Sequence, residues 1–301
     1  MVQEFTPDNV MLYQKPDGTI PDDFNNLIIQ DVIENSKVMQ LGVYEDMDSQ
    51  EKKFNYFANG IGAYWVDEGE KIQTTKPTML EVTMRAKKLG VILVASREYL
   101  NYRLPRFFEV MRPKIAEAFY KKFDEAAILN VDNPFAQSIE ESVTESGKVI
   151  EGAITYDNIL LLEDSLLEDD IEANGFISKA QNATALRNAV IRENGVSEAL
   201  YDRASNTLDG LPIANLKSGS MKKGTLYAGD FDQLRYGIPY NISYRISEEA
   251  QLSTIKNADG TPVNLYEQEL IAIRATMDVA MMIVNDDAFA KLKAGEEVPG
   301  A

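Results

Sequence analysis

Residues 271 to 283 constrain the fold more than any other stretch. Ile271, Ile273, Ala275, Met277, Val279, Met281 and Ile283 occupy every second position, with Arg274, Thr276 and Asp278 among the residues between them. Successive side chains of a strand point to opposite faces, so this pattern predicts one long strand with a buried face. Its length exceeds the usual run of about five or six residues.

A second alternation lies at 81–87, where Val82, Met84 and Ala86 are apolar and Glu81, Thr83, Arg85 and Lys87 are polar. The segment before it is aromatic and strand-like around Phe54, Tyr56 and Tyr64–Val66. Residues 50 to 88 therefore predict two long antiparallel strands, with Gly69 near the connection. One pair of strands is marginal in water and needs something to pack on. If the hairpin projects from the body, that support comes from another chain. This also accounts for Trp65, the only tryptophan, which sits in the polar stretch "GAYWVDEGEKIQTTK" at 62–76.

Helical spacing appears in three places. Asp22 or Asp23 can cap a helix bearing Phe24, Leu27, Ile28 and Val32 on one stripe. "LPRFFEVMRPKIAEAFYKKFDEAAIL" carries Ile115, Ala118, Phe119, Lys122, Phe123 and Ala126 along one stripe. Pro113 either starts that helix or kinks a longer one begun near Pro105, and Ile115, Phe119 and Phe123 are its expected core. Before it, "LGVILVASREYL" reads as an apolar strand closed by Ser96, which can cap a short helical turn. Residues 131–153 read as a loop or weak hairpin. Thr155 then caps a helix with Ile159, Leu162, Leu166 and Leu167 on its apolar face. Short strands and a helix over "AQNATALRNAV" follow, so 155–247 predicts a compact α/β module. Asp286 or Asp287 can cap a short "AFAKL" helix.

What the chain lacks limits its chemistry. It has no cysteine and no histidine. Disulfides, thiolate or imidazole zinc sites, and Ser-His-Asp or Cys-His nucleophiles are excluded. No phosphate-binding loop, dinucleotide fingerprint or calcium loop is present. Carboxylate pairs such as Asp67–Glu68 and Asp169–Asp170 could serve a hydrolase, but nothing among 48 acidic residues selects a pair. No cofactor or metal is expected. A net charge of −18 repels phosphate backbones, so DNA is not an expected tight ligand. No apolar run is long enough to span a membrane, and no secretory leader is legible.

The order of parts, with "WVDEGEKI" (65–72), "GVILVASREYL" (90–100) and "GDFDQLRYGI" (229–238), resembles the major capsid proteins of tailed bacteriophages, of the HK-ninety-seven type. The resemblance covers nearly the whole chain. It implies an α+β fold with an N-terminal arm and helix (1–44) and an extended two-stranded E-loop (45–86). A peripheral domain with a long spine helix (87–151 and 256–301) and an α/β axial domain (152–255) complete it. It implies a non-enzymatic subunit that assembles with itself into pentamers and hexamers of an icosahedral shell around double-stranded DNA. In the E-loop, Phe54, Tyr56, Tyr64, Trp65, Val66, Glu68 and Lys71 would contact a neighbour. Scaffolding protein, portal protein and a maturation protease are the implied partners, with DNA as weakly contacted cargo. The implied location is the virion, and the host cytoplasm during assembly. Some relatives cross-link lysine to asparagine between loops; Lys71 or Lys76 could serve, but no partner motif is legible. Alternatives are an encapsulin-like compartment shell and, more remotely, a carboxylate-dependent hydrolase.

Overall fold

The computed structural model describes residues 22–57, 71, 79–193, 196–240, 242–257 and 260–294. Helix α1 (Asp22–Asn35) and the short α2 (Lys37–Leu41) come first. Strands β1 (Val43–Tyr44), β2 (Glu51–Phe57), β3 (Met79–Arg85) and β4 (Lys87–Ser96) lead into helix α3 (Arg97–Leu129). Then come α4 (Ile139–Ser146), β5 (Val149–Glu151), α5 (Tyr156–Leu167), β6 (Gly175–Lys179) and α6 (Ala183–Asn188). Strands β7 (Val190–Glu193), β8 (Val196–Ala199), β9 (Tyr201–Asp202), β10 (Thr207–Leu208) and β11 (Leu211–Leu216) follow. The chain continues through β12 (Leu226–Gly229), β13 (Leu234–Gly237), β14 (Ser243–Ser247), β15 (Gln251–Lys256) and β16 (Pro262–Asn264). It closes with β17 (Leu270–Ile283) and β18 (Phe289–Lys293).

The alternating C-terminal segment is β17, a strand of 14 residues that organises a five-stranded sheet. Its first half has β4 on one edge and β14 on the other, and its second half pairs with β13, which holds β1. All seven of its alternating residues are buried. Ala275, Met277, Val279, Met281 and Ile283 share one apolar cluster with Ile115, Phe119 and Phe123 of α3. The sheet therefore lies on a helix about 50 Å long at ~1.5 Å per residue.

The second sheet runs β5-β18-β12-β6-β11-β10-β9. Helix α5 covers one face, packing Ile159, Leu162 and Leu166 on Phe176, Leu226, Ala228 and Leu292. Ile177, Tyr227 and Phe289 point the other way and join the α3 cluster. With both faces covered, β12 is buried along its whole length, which is why its sequence does not alternate.

Several local expectations need correction. Helix α3 starts at Arg97 and runs unbroken through Pro105 and Pro113, so Ser96 leads into 33 helical residues rather than a short turn. Residues 131–153 hold helix α4, whose N-cap Ser138 side chain accepts a hydrogen bond from the Glu141 amide. It stops at Gly147, whose φ of 73° is the left-handed conformation that ends helices. Leu167 is 51% exposed and lies off the buried face of α5. The predicted helix over 180–190 is reduced to one 3-10 turn and the six residues of α6. "AFAKL" is not helical: Asn285 caps a single 3-10 turn, and Phe289–Lys293 is drawn into the sheet between β12 and β5.

Candidate assembly interface

Strands β2 and β3 form a two-stranded sheet of their own, with Glu51 opposite Arg85, Phe54 opposite Val82 and Phe57 opposite Met79. At the foot of this hairpin Met84 and Ala86 are buried against Met47, Ala280 and Met282, with Phe54 and Val82 half-buried beside them. The close packing requires Gly237: a Cβ there would sit 2.6 Å from Met47 Sδ and 2.9 Å from the Glu45 carbonyl. Charge pairs brace the foot. Lys52 Nζ donates to Glu45 Oε2 at 3.0 Å and to the Asp46 carbonyl at 2.7 Å, and Arg235 also contacts Glu45. Burial raises the Glu45 pKa, but the bonds from Lys52 and Arg235 outweigh it and hold the carboxyl below its ordinary value. The pairs Arg85–Glu51, at 3.0 Å on the first rung, and Lys53–Glu81, further up, are well exposed, and such pairs contribute little.

The helices ahead of the hairpin are fastened to the spine by polar groups. Arg112 of α3 grips Asp31 of α1 with both ends of its fork, Nε to Oδ2 at 2.7 Å and Nη2 to Oδ1 at 2.8 Å. Asp124, 2% exposed, accepts from Ser36 Oγ at 2.5 Å, the Lys37 amide at 2.8 Å and the Val38 amide at 3.3 Å. These are free amides at the start of α2, which a carboxylate satisfies well. Burial nevertheless pushes the Asp124 pKa up to about 6, against the pull of those three hydrogen bonds.

A third fastening joins α4 to the second sheet. Tyr227 Oη donates to Glu140 Oε2 at 2.6 Å, and Lys291 Nζ donates to the same oxygen at 2.7 Å. Burial, then the Glu140 charge, raises the Tyr227 pKa, so its hydroxyl stays protonated and available as a donor.

Of the residues named from sequence, Ile115, Phe119 and Phe123 are buried in the main cluster, and Phe54 lies at the hairpin foot. Tyr56 falls within β2. Lys71 is exposed and outside any helix or strand, while Tyr64, Trp65, Val66 and Glu68 lie outside the described residues. Asp31, Ser36, Arg112, Asp124 and Glu140 were not singled out from sequence. Their partners are up to 151 residues away, and no local pattern marks them. Among the described residues no group of three or more acidic side chains could hold a metal ion. No described helix is long and apolar enough to cross a membrane.

A long spine helix under a sheet centred on the C-terminal strand, a detached two-stranded hairpin and a second helix-covered sheet define a shell-forming subunit of the HK-ninety-seven type. Comparison with known proteins agrees. Solved chains from Mycobacterium phage Adephagia match with a TM-score of 0.71 at 15% identity, covering 99% of this chain and 96% of the other. The capsid of an empty GTA particle matches with a TM-score of 0.64 at 14% identity, covering 87% of this chain and 90% of that one. The Phage capsid family matches residues 17–294. The major capsid protein of Staphylococcus phage 80alpha is 57% identical over 303 residues, 99% of this chain and 93% of that protein. The chain belongs to the phage capsid family. It is a structural major capsid protein of a tailed phage, not an enzyme, and it assembles with itself into the icosahedral capsid of the virion. Neither the compartment shell nor the hydrolase is favoured.

Proposed function

We propose that the subunit builds its shell by lending extended segments to its neighbours. Residues 1–44 act as an arm: α1 and α2 anchor it to the α3 of their own subunit, and the residues ahead of them strap onto an adjacent copy. Residues 45–86 lie over the next subunit, with Phe54, Tyr56, Tyr64, Trp65, Val66, Glu68 and Lys71 in contact with it. Residues 87–151 and 256–301 form the peripheral domain around α3, whose Ile115, Phe119 and Phe123 hold it to the sheet. Residues 152–255 form the axial domain, gathered at the five- and sixfold axes.

The observation that carries this reading is the isolation of β2–β3. Among the described residues the hairpin pairs with no third strand, and the apolar cluster it shares with the body lies at its foot. Two strands alone are marginal in water, so a second body has to complete the packing. A scaffolding protein, a portal protein and a maturation protease would act with the subunit in the host cytoplasm. The DNA is held as cargo, in keeping with a chain of net charge −18.

The test is to replace residues 55–80 with a short turn and follow particle size by light scattering and electron microscopy, with and without a co-expressed scaffolding protein. The expected result is a folded subunit that makes no closed shells. Normal shells from the shortened chain would overturn the loop assignment.

A further inference from the structure

On the face of the β4–β17–β14 sheet turned away from α3, three cross-strand rows lie open. The registers set Ile92 beside Arg274 and Arg274 beside Arg245. The next rows are Gly90, Thr276 and Ser243, then Lys88 and Asp278. Residues directly opposite share a face, so these side chains form one surface. Ile92 is 46% exposed, and Lys88, Arg245 and Arg274 are exposed as well. The rows beyond are closed. Ala272 is covered by Leu252, Val263 and Leu265, and Ala280 and Met282 by Met47 and Met84. The open rows thus make a trough about 14 Å long, at ~3.4 Å per residue, between the feet of hairpins β15–β16 and β2–β3.

Arg245 and Arg274 are the anomaly in this trough. Like charges directly opposite each other on an antiparallel ladder are destabilising. Neither guanidinium has a hydrogen-bond or ion-pair partner among the described residues. Yet the chain carries 48 acidic residues against 30 basic ones, so carboxylates are the commoner charge on its surface. A paired, uncompensated cationic spot on an acidic protein is complementary to the surface that every other copy presents.

We propose that this trough receives a carboxylate-bearing surface of a second copy of the chain in the assembled shell. The two arginines take carboxylates with their planar forks, and Ile92 supplies an apolar floor beside them. The alternative occupant is the phosphate backbone of the packaged DNA. The observations favour protein, because Ile92 offers a polyanion no favourable contact, and a mixed protein surface can set a hydrogen-bond donor opposite Asp278 where a continuous phosphate backbone sets only more negative charge. The inference rests on self-assembly of the chain, not on the segment assignments proposed above.

The experiment assembles Arg245→Glu/Arg274→Glu and Arg245→Gln/Arg274→Gln subunits into shells without DNA. The expected outcome is a folded subunit, by circular dichroism and melting temperature, whose shell yield drops about tenfold or more, with the glutamate pair worse than the glutamine pair. Undiminished shell yield from either folded variant overturns the proposal. A photo-crosslinking residue in place of Ile92, in an otherwise unaltered chain, keeps the test open if both variants misfold. A product of two joined subunits from assembled shells supports the proposal. Crosslinks only to nucleic acid, only within one chain, or to nothing overturn it.

Discussion

Ser36 and Asp124 are 88 residues apart in sequence and joined by a hydrogen bond of 2.5 Å inside the protein. Ser36 also caps α2 by accepting from the Met39 amide at 3.2 Å, while Asp124 takes the amides of Lys37 and Val38. The pair thus satisfies the start of one helix with a carboxyl from near the C-terminal end of another. Asp124→Ala strands a hydroxyl and two amides, and the expected loss is about 3 kcal/mol. Ser36→Ala removes a cap and one bond, an expected loss of about 2 kcal/mol. The double variant should lose less than the sum, because their shared bond is broken only once. Urea unfolding of the unassembled subunit gives all three values, and strict additivity would show that the two residues act separately.

The same carboxyl makes this attachment sensitive to pH. Burial lifts the Asp124 pKa from 3.8 to about 6. A folded-state pKa above the unfolded one stabilises the protein fully below the unfolded value, and the contribution fades as pH rises through the folded value. The rise corresponds to about 3 kcal/mol between the two limits. Asn cannot titrate, so the stability advantage of the native chain over Asp124→Asn should shrink as pH climbs from 4 to 7.5. Other groups cancel in that difference. A gap that stays constant across the window means that Asp124 does not titrate there.

At the hairpin foot, apolar burial should outweigh charge. Met84 is 1% exposed, and Met84→Ala leaves a cavity among Met47, Ala280 and Met282 at an expected cost of about 3 kcal/mol. Glu51→Ala breaks an ion pair with Arg85 whose side chains are 53% and 65% exposed, and should cost under about 1 kcal/mol. Limited proteolysis provides a second reading, since loosening the foot should speed cleavage between β2 and β3 only in the Met84 variant. Equal effects of the two substitutions would show that charge holds the hairpin as firmly as the methionine cluster does.

Which parts of this architecture were legible from sequence follows from how local their causes are. The period-two runs at 81–87 and 271–283 report a face-by-face division of solvent, so they can be read without knowing the partner strands. Helix α3 was harder. Pro113 reads as a start or a kink and Pro105 as the beginning of a longer helix, because each lacks an amide. Yet the helix begins at Arg97 and continues through both, with Ile115, Phe119 and Phe123 buried along its later turns. Helix α4 hid in a polar stretch because only Ile139 and Val143 are its buried apolar residues. The signal that could have found it was Ser138 followed three residues later by Glu141, a capping pattern. The nature of Phe289–Lys293 was not local at all. It is a strand because β12 and β5 lie on either side of it, which depends on contacts made across the whole chain.

The turn at Asp209 faces α5 across the second core, and two carboxyls meet there. Burial is the main cause that lifts the Glu163 pKa to about 7, with the charge of Asp209 and a hydrogen bond to it adding to the rise. Glu163 Oε1 is itself buried without a hydrogen-bond partner among the described residues. At pH 5 Glu163 is protonated and sets no second negative charge beside Asp209. Above pH 7 the folded state has to keep Glu163 ionised beside Asp209, so the stability from that proton is lost as pH rises through the folded pKa. Glu163→Gln keeps the shape and hydrogen-bonding capacity of the protonated acid at every pH. It should leave the melting temperature nearly unchanged at pH 5 and raise it at pH 8.5, with Asp209→Asn behaving in the same direction. Calorimetry of the unassembled subunit at the two pH values reads this directly. A Glu163→Gln variant that melts no higher than the native chain at pH 8.5 would show that solvent already screens the pair.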